Sequence, residues 1–278
     1  MKRGAAIVVL ALLAGCSRPN PYVHENMPSV ESFIIGCPAA PEPAAPVESP
    51  PGADASGSFA REAPSAPAGL SFVELAPGLR LDARAKVVEF DGSVAVDAHD
   101  PRTPDVYLEL LVCAPDTREH ESLVVTSVPA SAIHAALLAA GLDPGGPGRV
   151  VQLRDGTVER RPATGDGVRV EFMVQDATGA WRAHDPASWV MLQGSKERAD
   201  WGGLVFAGSR FVMRGGRERY DADGTGVIVG LTTFGSEVIA PVRAVSPDSW
   251  VDDPAWVADA DAMPARGTPV RVRVSAIK

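Results

Sequence analysis

Residues 121–141, ESLVVTSVPASAIHAALLAAG, change from a strand pattern to a helix pattern within one short stretch. The first six, Glu121 to Thr126, are rich in β-branched residues, which favour strands. Ser127 is a favoured N-cap residue, and Pro129 suits the first turn of a helix. Gly141 suits the position that follows a helix. The stretch therefore predicts a strand followed by a helix over about residues 129–141, with Ile133, Ala136, Leu137 and Ala140 on one apolar face.

The remaining chain from Leu70 onward alternates apolar and polar residues between Gly, Pro and Asp, which is typical of strands joined by turns. Asp91-Gly92 predicts a hairpin turn between strands over residues 85–90 and 93–97. We predict a second hairpin from residues 106–114 and 121–126, and a third around the turn at 176–179. Further strands are predicted over 226–233 and 270–277, and a short helix near Pro254. The predicted fold class is α+β, mostly antiparallel β with one main helix.

The first sixteen residues are typical of an exported lipoprotein. Lys2 and Arg3 precede a short apolar run that is well under the roughly 20 residues needed to span a bilayer. Leu13-Ala14-Gly15-Cys16 resembles the lipobox of bacterial lipoproteins, which implies cleavage before Cys16 and lipid on its sulfur. Acylation of this kind holds a protein at a membrane. No Asp follows the cysteine, so we expect the outer membrane, facing the periplasm.

Three segments follow from composition: a signal peptide over residues 1–15, a flexible tether over 16–69 and a β-rich globular domain over 70–278. The tether is dominated by Pro, Ala, Ser, Gly and Glu, which cannot bury enough apolar surface to offset ordering entropy. Signal cleavage changes the formal net charge from −9 to −11. A nucleic-acid partner would require a basic surface, so we expect none.

Several stretches of the sequence are similar to one protein family. Residues 119–125 read EHESLVV and are followed by the helix pattern PASAIHAALL, and weaker similarity continues in FAGSRF at 206–211 and YDAD at 220–223. Together these resemble the YdjY-domain family over about residues 85–245. The family is uncharacterised and has many members in planctomycete genomes. The resemblance implies an exported or lipid-anchored domain and no established reaction, substrate or cofactor.

Candidate site residues cluster around the second predicted hairpin. If residues 115–118 form its turn, Cys113 opposes His120 across the pair, and Leu111 opposes Ser122. Cys113 and His120, joined by His134 from the helix, could then serve as nucleophile and base or as metal ligands. A one-residue slip in register would separate them, and the alternative is a structural junction between strand and helix.

Other patterns are incomplete. Only Cys37 and Cys113 remain after lipidation, too few for an iron–sulfur cluster, and an oxidising compartment would let these two form a disulfide. Residues 221–226, DADGTG, lack the Glu that closes a calcium loop, so a turn is the better interpretation. Trp250 and Trp256 could stack on sugars or pack a C-terminal arm on the core. We expect no cofactor and no bound metal.

Three functional hypotheses follow. The first is a lipid-anchored cell-envelope module without enzymatic activity that binds an envelope protein or a glycan. The second is a periplasmic metal-dependent or Cys/His hydrolase centred on Cys113, His120 and His134. The third is a spacer between envelope layers. The oligomeric state does not follow from the sequence.

Overall fold

The computed structural model describes residues 69–102, 105–195, 197–253 and 256–277. The predicted signal peptide, the predicted lipidation site Cys16, Cys37 and the predicted tether up to residue 68 lie outside the described residues. None of the helices in the described ranges is long and apolar enough to cross a membrane.

The described residues form short strands and two α-helices. The strands are β1 (Val73–Ala76), β2 (Leu79–Asp82), β3 (Val87–Val94), β4 (Leu110–Cys113), β5 (Ser122–Val125), β6 (Pro144–Gly146), β7 (Arg149–Gln152), β8 (Val158–Arg161), β9 (Thr164–Gly165), β10 (Gly167–Gln175), β11 (Trp181–His184), β12 (Val190–Leu192), β13 (Leu204–Phe206), β14 (Phe211–Arg214), β15 (Arg217–Tyr220), β16 (Val227–Gly230), β17 (Ile239–Pro241), β18 (Trp256–Ala258) and β19 (Pro269–Ala276). The α-helices are α1 (Ala130–Ala139) and α2 (Asp221–Thr225), and Glu119–Glu121 and Pro186–Trp189 form 3₁₀ turns.

Eight of the strands close into a barrel. Their order is β3, β19, β10, β13, β17, β16, β4, β5 and back to β3. The predicted class of α+β is therefore wrong, because the described part is mostly β and has only one main helix. Alternation of apolar and polar residues predicts that a strand forms but not which strand it pairs with. The barrel closes because β3 pairs with β5 and with β19, which are distant from it in the sequence.

Gly92 lies where β3 changes partner on one of its edges. The first half of β3 pairs with β2, up to Leu79↔Phe90, and Ser93 and Val94 pair with β5. A Cβ atom at Gly92 would lie 2.7 Å from the carbonyl oxygen of Val125, so only glycine lets the two strands approach. The predicted hairpin turn at Asp91-Gly92 is wrong, because both residues lie inside one continuous strand.

The second predicted hairpin is also wrong. β4 and β5 are parallel, with Leu110 opposite Ser122 and Val112 opposite Val124. The chain between them, residues 114–121, must therefore return to the starting end of the barrel wall before β5 begins. Parallel neighbours usually need a crossover of a dozen residues or more, which is why the short connection suggested an antiparallel pair.

Helix α1 confirms the predicted apolar face, because Ile133, Ala136, Leu137 and Ala140 are all buried. Gly141 ends the helix with φ of 76°, as predicted. The N-terminal cap differs from the prediction. Pro129 is the N-cap residue and has no capping side chain of its own, while Asp223 of α2 accepts a hydrogen bond from the Ser131 N–H at 2.9 Å.

One of the two remaining local predictions is confirmed and the other is wrong. The turn at residues 176–179 joins β10 and β11 as an antiparallel pair, which confirms the third hairpin. The short helix predicted near Pro254 is wrong for the described residues, because Trp256–Ala258 is strand β18 and pairs with β12. The barrel interior follows strand alternation, with Val270, Val272 and Val274 of β19 all buried.

An acidic cleft at the barrel closure

A cleft of about 820 Å³ lies against the junction of β3 and β5. Val94 and Val96, both buried, and the half-buried Val125 give it an apolar floor. Its rim comes from four further segments: the residues after β3, those before β4, the 3₁₀ turn Glu119–Glu121 and residues 266–267 before β19. The cleft therefore exists because the barrel closes at this point.

The rim carries mostly negative charge. Four carboxylates line the cleft, those of Asp97, Asp105, Glu119 and Glu121, against the single arginine Arg266. Asp97 and Asp105 are exposed, and within the described residues neither side chain makes a hydrogen bond or ion pair. The charge of Arg102 acts on Asp97, but the guanidinium makes its hydrogen bonds to Asp100, so both carboxylates stay open to a cationic ligand.

Glu119 has a structural role at the rim. Its carboxylate accepts hydrogen bonds from the backbone N–H groups of Asp116 and Thr117, at 2.5 and 3.0 Å. Backbone donors, first of all its own N–H, hold the pKa of Glu119 below its ordinary value. Asp116 has a φ of 59°, so this carboxylate fixes a tight turn in the chain that returns from β4 to β5.

Behind the rim, Arg118 joins two carboxylates. One of its terminal nitrogens lies 2.8 Å from Glu109 and 3.1 Å from Glu121. Its guanidinium also stacks over the Phe234 ring, 4.5 Å from the ring centre. Burial, together with the hydrogen bond to Glu121 and its negative charge, raises the pKa of Glu109 to about 7 despite Arg118. Glu109 therefore gains or loses its proton near neutral pH, beside the cleft.

His120 projects into the cleft from the 3₁₀ turn. Its side chain is 74% exposed, and its Nε2 lies 3.4 Å from Glu121. Glu119, His120 and Glu121 form this turn and do not alternate across a strand. The sequence signal EHES thus marks the cleft rim.

A family model described as the YdjY domain matches residues 79–275. The chain belongs to the YdjY-domain family. The match reaches further at both ends than the predicted similarity over 85–245, and its added C-terminal part includes β19, which lies between β3 and β10 in the barrel. No significant match is found among curated proteins or among solved structures.

The YdjY domain does not bring the candidate residues of the hydrolase hypothesis together. Cys113 is fully buried beside Leu110 and Val227, and burial raises the pKa of its thiol, which disfavours the nucleophilic thiolate. The predicted pairing of Cys113 with His120 is wrong, because parallel pairing sets Cys113 opposite Val125. Ser122 pairs with Leu110 instead of Leu111, and its buried hydroxyl donates to the Val124 carbonyl at 3.0 Å.

His134 has a separate environment on α1. Its Nδ1 lies 2.8 Å from the hydroxyl of Tyr220, which donates to the Gly208 carbonyl at 3.1 Å. The ring also packs edge-on against Phe206, with 5.0 Å between ring centres. Burial lowers the pKa of His134, so the neutral ring is favoured. This histidine holds the helix against the start of α2.

The DADGTG segment is helix α2 rather than a metal loop. Asp221 is buried, and its carboxylate binds Arg210 at 2.8 Å and Arg214 at 3.0 Å. Within the described residues, no group of three or more His, Cys, Asp or Glu side chains is arranged to hold a metal ion. The predicted disulfide between Cys37 and Cys113 stays a prediction, because Cys37 lies outside the described residues.

Several residues of this YdjY cleft were missed from the sequence. Tyr107 reaches the rim and bonds to Gln193, while Asp97, Asp105 and Arg266 come from three separate segments. No local pattern connects them. The pairing of Glu109 with Glu121 could have been found only by knowing that β4 and β5 are parallel. The acidic character of the rim follows from topology rather than from a motif.

Proposed function

We propose that this protein is a lipoprotein of the bacterial cell envelope, anchored through lipid on Cys16. Its barrel acts as a non-enzymatic binding module that takes a basic, partly apolar protein segment in the acidic cleft. The observation that carries the proposal is the cleft itself, which combines an apolar floor with the carboxylates of Asp97 and Asp105 at its rim.

The chemistry of the cleft favours a protein segment with lysine or arginine. These side chains bury an aliphatic stem on apolar surface while the charged head stays near water and carboxylates. A glycan is less well matched, because Tyr107 is the one aromatic side chain lining the cleft within the described residues. Trp256, a candidate for stacking on sugars, is buried in β18, and Trp250 is not among the cleft residues.

A second cleft of equal volume is a weaker candidate. It is lined by side chains of both signs, among them Arg160, Arg243 and Asp252. Arg160 and Asp252 already satisfy each other through two hydrogen bonds of 2.7 Å. Their charges are therefore committed to an internal contact, whereas Asp97 and Asp105 at the first cleft are not.

The proposed location at the cell envelope rests on the first part of the sequence. The lipobox at Leu13–Cys16 would place a lipid on Cys16, and the Pro/Ala-rich segment up to about residue 69 would act as a spacer. The barrel would then sample a volume close to the membrane, on the periplasmic side of the outer membrane in a host that has one.

The anchor is tested by intact-mass measurement on protein isolated from bacterial membranes. We expect a mature chain that begins at Cys16 and carries acyl groups, and we expect Cys16→Ser to accumulate as an unacylated precursor. Ser17→Ala serves as a matched control and should be processed normally. An acylated, normally sized product from Cys16→Ser would contradict the anchor.

The cleft is tested by calorimetry with a hexapeptide of alternating lysine and valine. The unlipidated mature chain should bind this peptide and should not bind the matching glutamate–valine peptide. Asp97→Asn with Asp105→Asn should weaken binding about 10-fold, because each exposed charge contributes up to about 1 kcal/mol. The matched control replaces two exposed aspartates that lie outside both clefts, Asp143→Asn with Asp261→Asn. Equal losses in both double variants would refute the cleft as the site.

A further inference from the structure

The hairpin of β14 and β15 has the opposite character to the cleft. Residues 210–220, RFVMRGGRERY, contain four arginines and one glutamate in a chain whose net charge is −9. Among the strands that the structure describes, these two pair only with each other, in the register Phe211↔Tyr220 to Arg214↔Arg217. The hairpin is therefore a basic element on an acidic protein.

The hairpin also exposes large apolar side chains. Phe211 is 65% exposed and Met213 is 68% exposed. Cross-strand pairing puts both on one face of the ribbon, while Arg217 and Arg219 lie on the other. The ribbon therefore presents large apolar side chains on one face and arginines on the other.

Only part of the arginine charge is used within the domain. Arg210 and Arg214 bind the buried carboxylate of Asp221, which fixes the base of the hairpin. Within the described residues, Arg217 and Arg219 make no ion pair. Gly215 and Gly216 have φ of 59° and 72°, which matches the tight two-residue turn that follows the natural twist of a hairpin. The free arginines therefore sit on a preformed ribbon.

We propose that the hairpin of one copy binds in the acidic cleft of a second copy. This inference rests on the proposed function, because it names the basic, partly apolar segment that the cleft takes. Arg217 and Arg219 would face Asp97 and Asp105, and the half-buried Val212, which shares their face of the ribbon, would lie over the valine floor. Each molecule carries both halves of the contact, so association needs no further component.

Anchoring would make a modest contact sufficient. Charge pairs at an exposed rim contribute little individually and are screened by salt. Copies held on one membrane by lipid on Cys16 would meet at a much higher effective concentration than free copies. The contact would therefore form at the membrane and remain reversible in solution.

The test is sedimentation velocity on the unlipidated mature chain. The wild type should associate in a concentration-dependent and salt-sensitive way. A cleft variant, Asp97→Asn with Asp105→Asn, and a hairpin variant, Arg217→Gln with Arg219→Gln, should each associate about 10-fold more weakly. A mixture of the two variants should recover association, because one supplies an intact hairpin and the other an intact cleft.

The matched control for the hairpin is Arg149→Gln with Arg161→Gln. These arginines are paired across another exposed two-stranded hairpin, β7–β8, and their loss should leave association unchanged. A monomeric wild type, or variants that associate normally, would overturn the inference. So would a hairpin variant that loses binding to anionic vesicles while its self-association is unchanged.

The two proposals fail separately. If the lysine–valine peptide binds the cleft but the wild type stays monomeric, the cleft is a binding site and the hairpin is not its partner. If the peptide fails to bind and the wild type associates through other residues, both proposals fail.

Discussion

The cleft and the β14–β15 hairpin differ in how far apart along the chain their parts lie. The hairpin is local, because its turn and both strands fall within residues 211–220. The cleft needs β3 and β5 to close the barrel, and residues near positions 97, 107, 120 and 266 to meet there. One surface depends on a two-residue turn and the other on the whole topology, so they should respond differently to substitution.

The largest loss of stability should come from Gly92→Ala, which lies at the β3–β5 junction that forms the cleft. The added Cβ would meet the Val125 carbonyl oxygen at 2.7 Å and the Val124 side chain at 2.9 Å. Overpacking of this kind costs about 1–3 kcal/mol, because the backbone must shift. We expect the free energy of unfolding to fall by that amount in urea denaturation.

Gly167→Ala is the matched control for this prediction. It also lies in a barrel strand, but its Cβ would meet only the Ile277 side chain at an ordinary distance of 3.6 Å. Stability losses of the same size for both substitutions would mean that the closure at β3–β5 has no special packing requirement.

A smaller effect is expected from Asp221→Asn, which acts on the hairpin side. The change removes the charge that binds Arg210 and Arg214, but both arginines are more than half exposed and water can solvate them. The loss of stability should be about 1–2 kcal/mol. Hydrogen exchange should rise in residues 211–220 and stay unchanged at the cleft. Faster exchange in residues 93–97 would contradict the independence of the two regions.

The smallest effect concerns pH. The pKa of Glu109 is raised to about 7, so Glu109 loses its proton as pH rises through that value. The negative charge beside the cleft then increases, and affinity for the lysine–valine peptide should rise about 2- to 5-fold between pH 6 and 8. Glu109→Gln should flatten this dependence. The hairpin depends on arginines, which stay charged throughout this range.

The proton on Glu109 also affects the free energy of unfolding. Peptide affinity should rise with pH, whereas this contribution to stability should fall. Because the folded protein holds this proton more tightly than the unfolded chain, the stabilisation is complete below the ordinary glutamate pKa of 4.5 and is lost as pH rises to about 7. Thermal unfolding of wild type and Glu109→Gln across this window should converge at low pH. A wild type that gains stability from pH 5 to pH 7 relative to the variant would contradict the assignment.

The contrast between local and distant structure also explains what the sequence could predict. Helix α1, its end at Gly141 and the β10–β11 turn were correct, because each depends on neighbouring residues. The β14–β15 hairpin carries an equally local signal in Gly215-Gly216 and was available to the same reasoning. The strand β3 was divided in two because Asp91-Gly92 has turn chemistry, whereas Gly92 is needed for close approach to a strand 33 residues away.

The candidate site was predictable only in part. The sequence singled out the EHES segment, and Glu119, His120 and Glu121 of that segment line the cleft. Its partners were misassigned, because a short link between β4 and β5 suggests antiparallel pairing and the pairing is parallel. Cys113 and His134 were grouped with His120 on that basis. Burial and the bond to Tyr220 account for those two residues instead.

The most direct measurement is chemical-shift mapping of the lysine–valine peptide on the unlipidated, isotope-labelled mature chain. The proposed function predicts that the largest amide shifts cluster at residues 93–97, 105–107 and 119–121, and that Asp97→Asn with Asp105→Asn removes them. Shifts that cluster instead around Arg160, Arg243 and Asp252, or that spread over the surface without saturating, would contradict the cleft as the binding site of this protein.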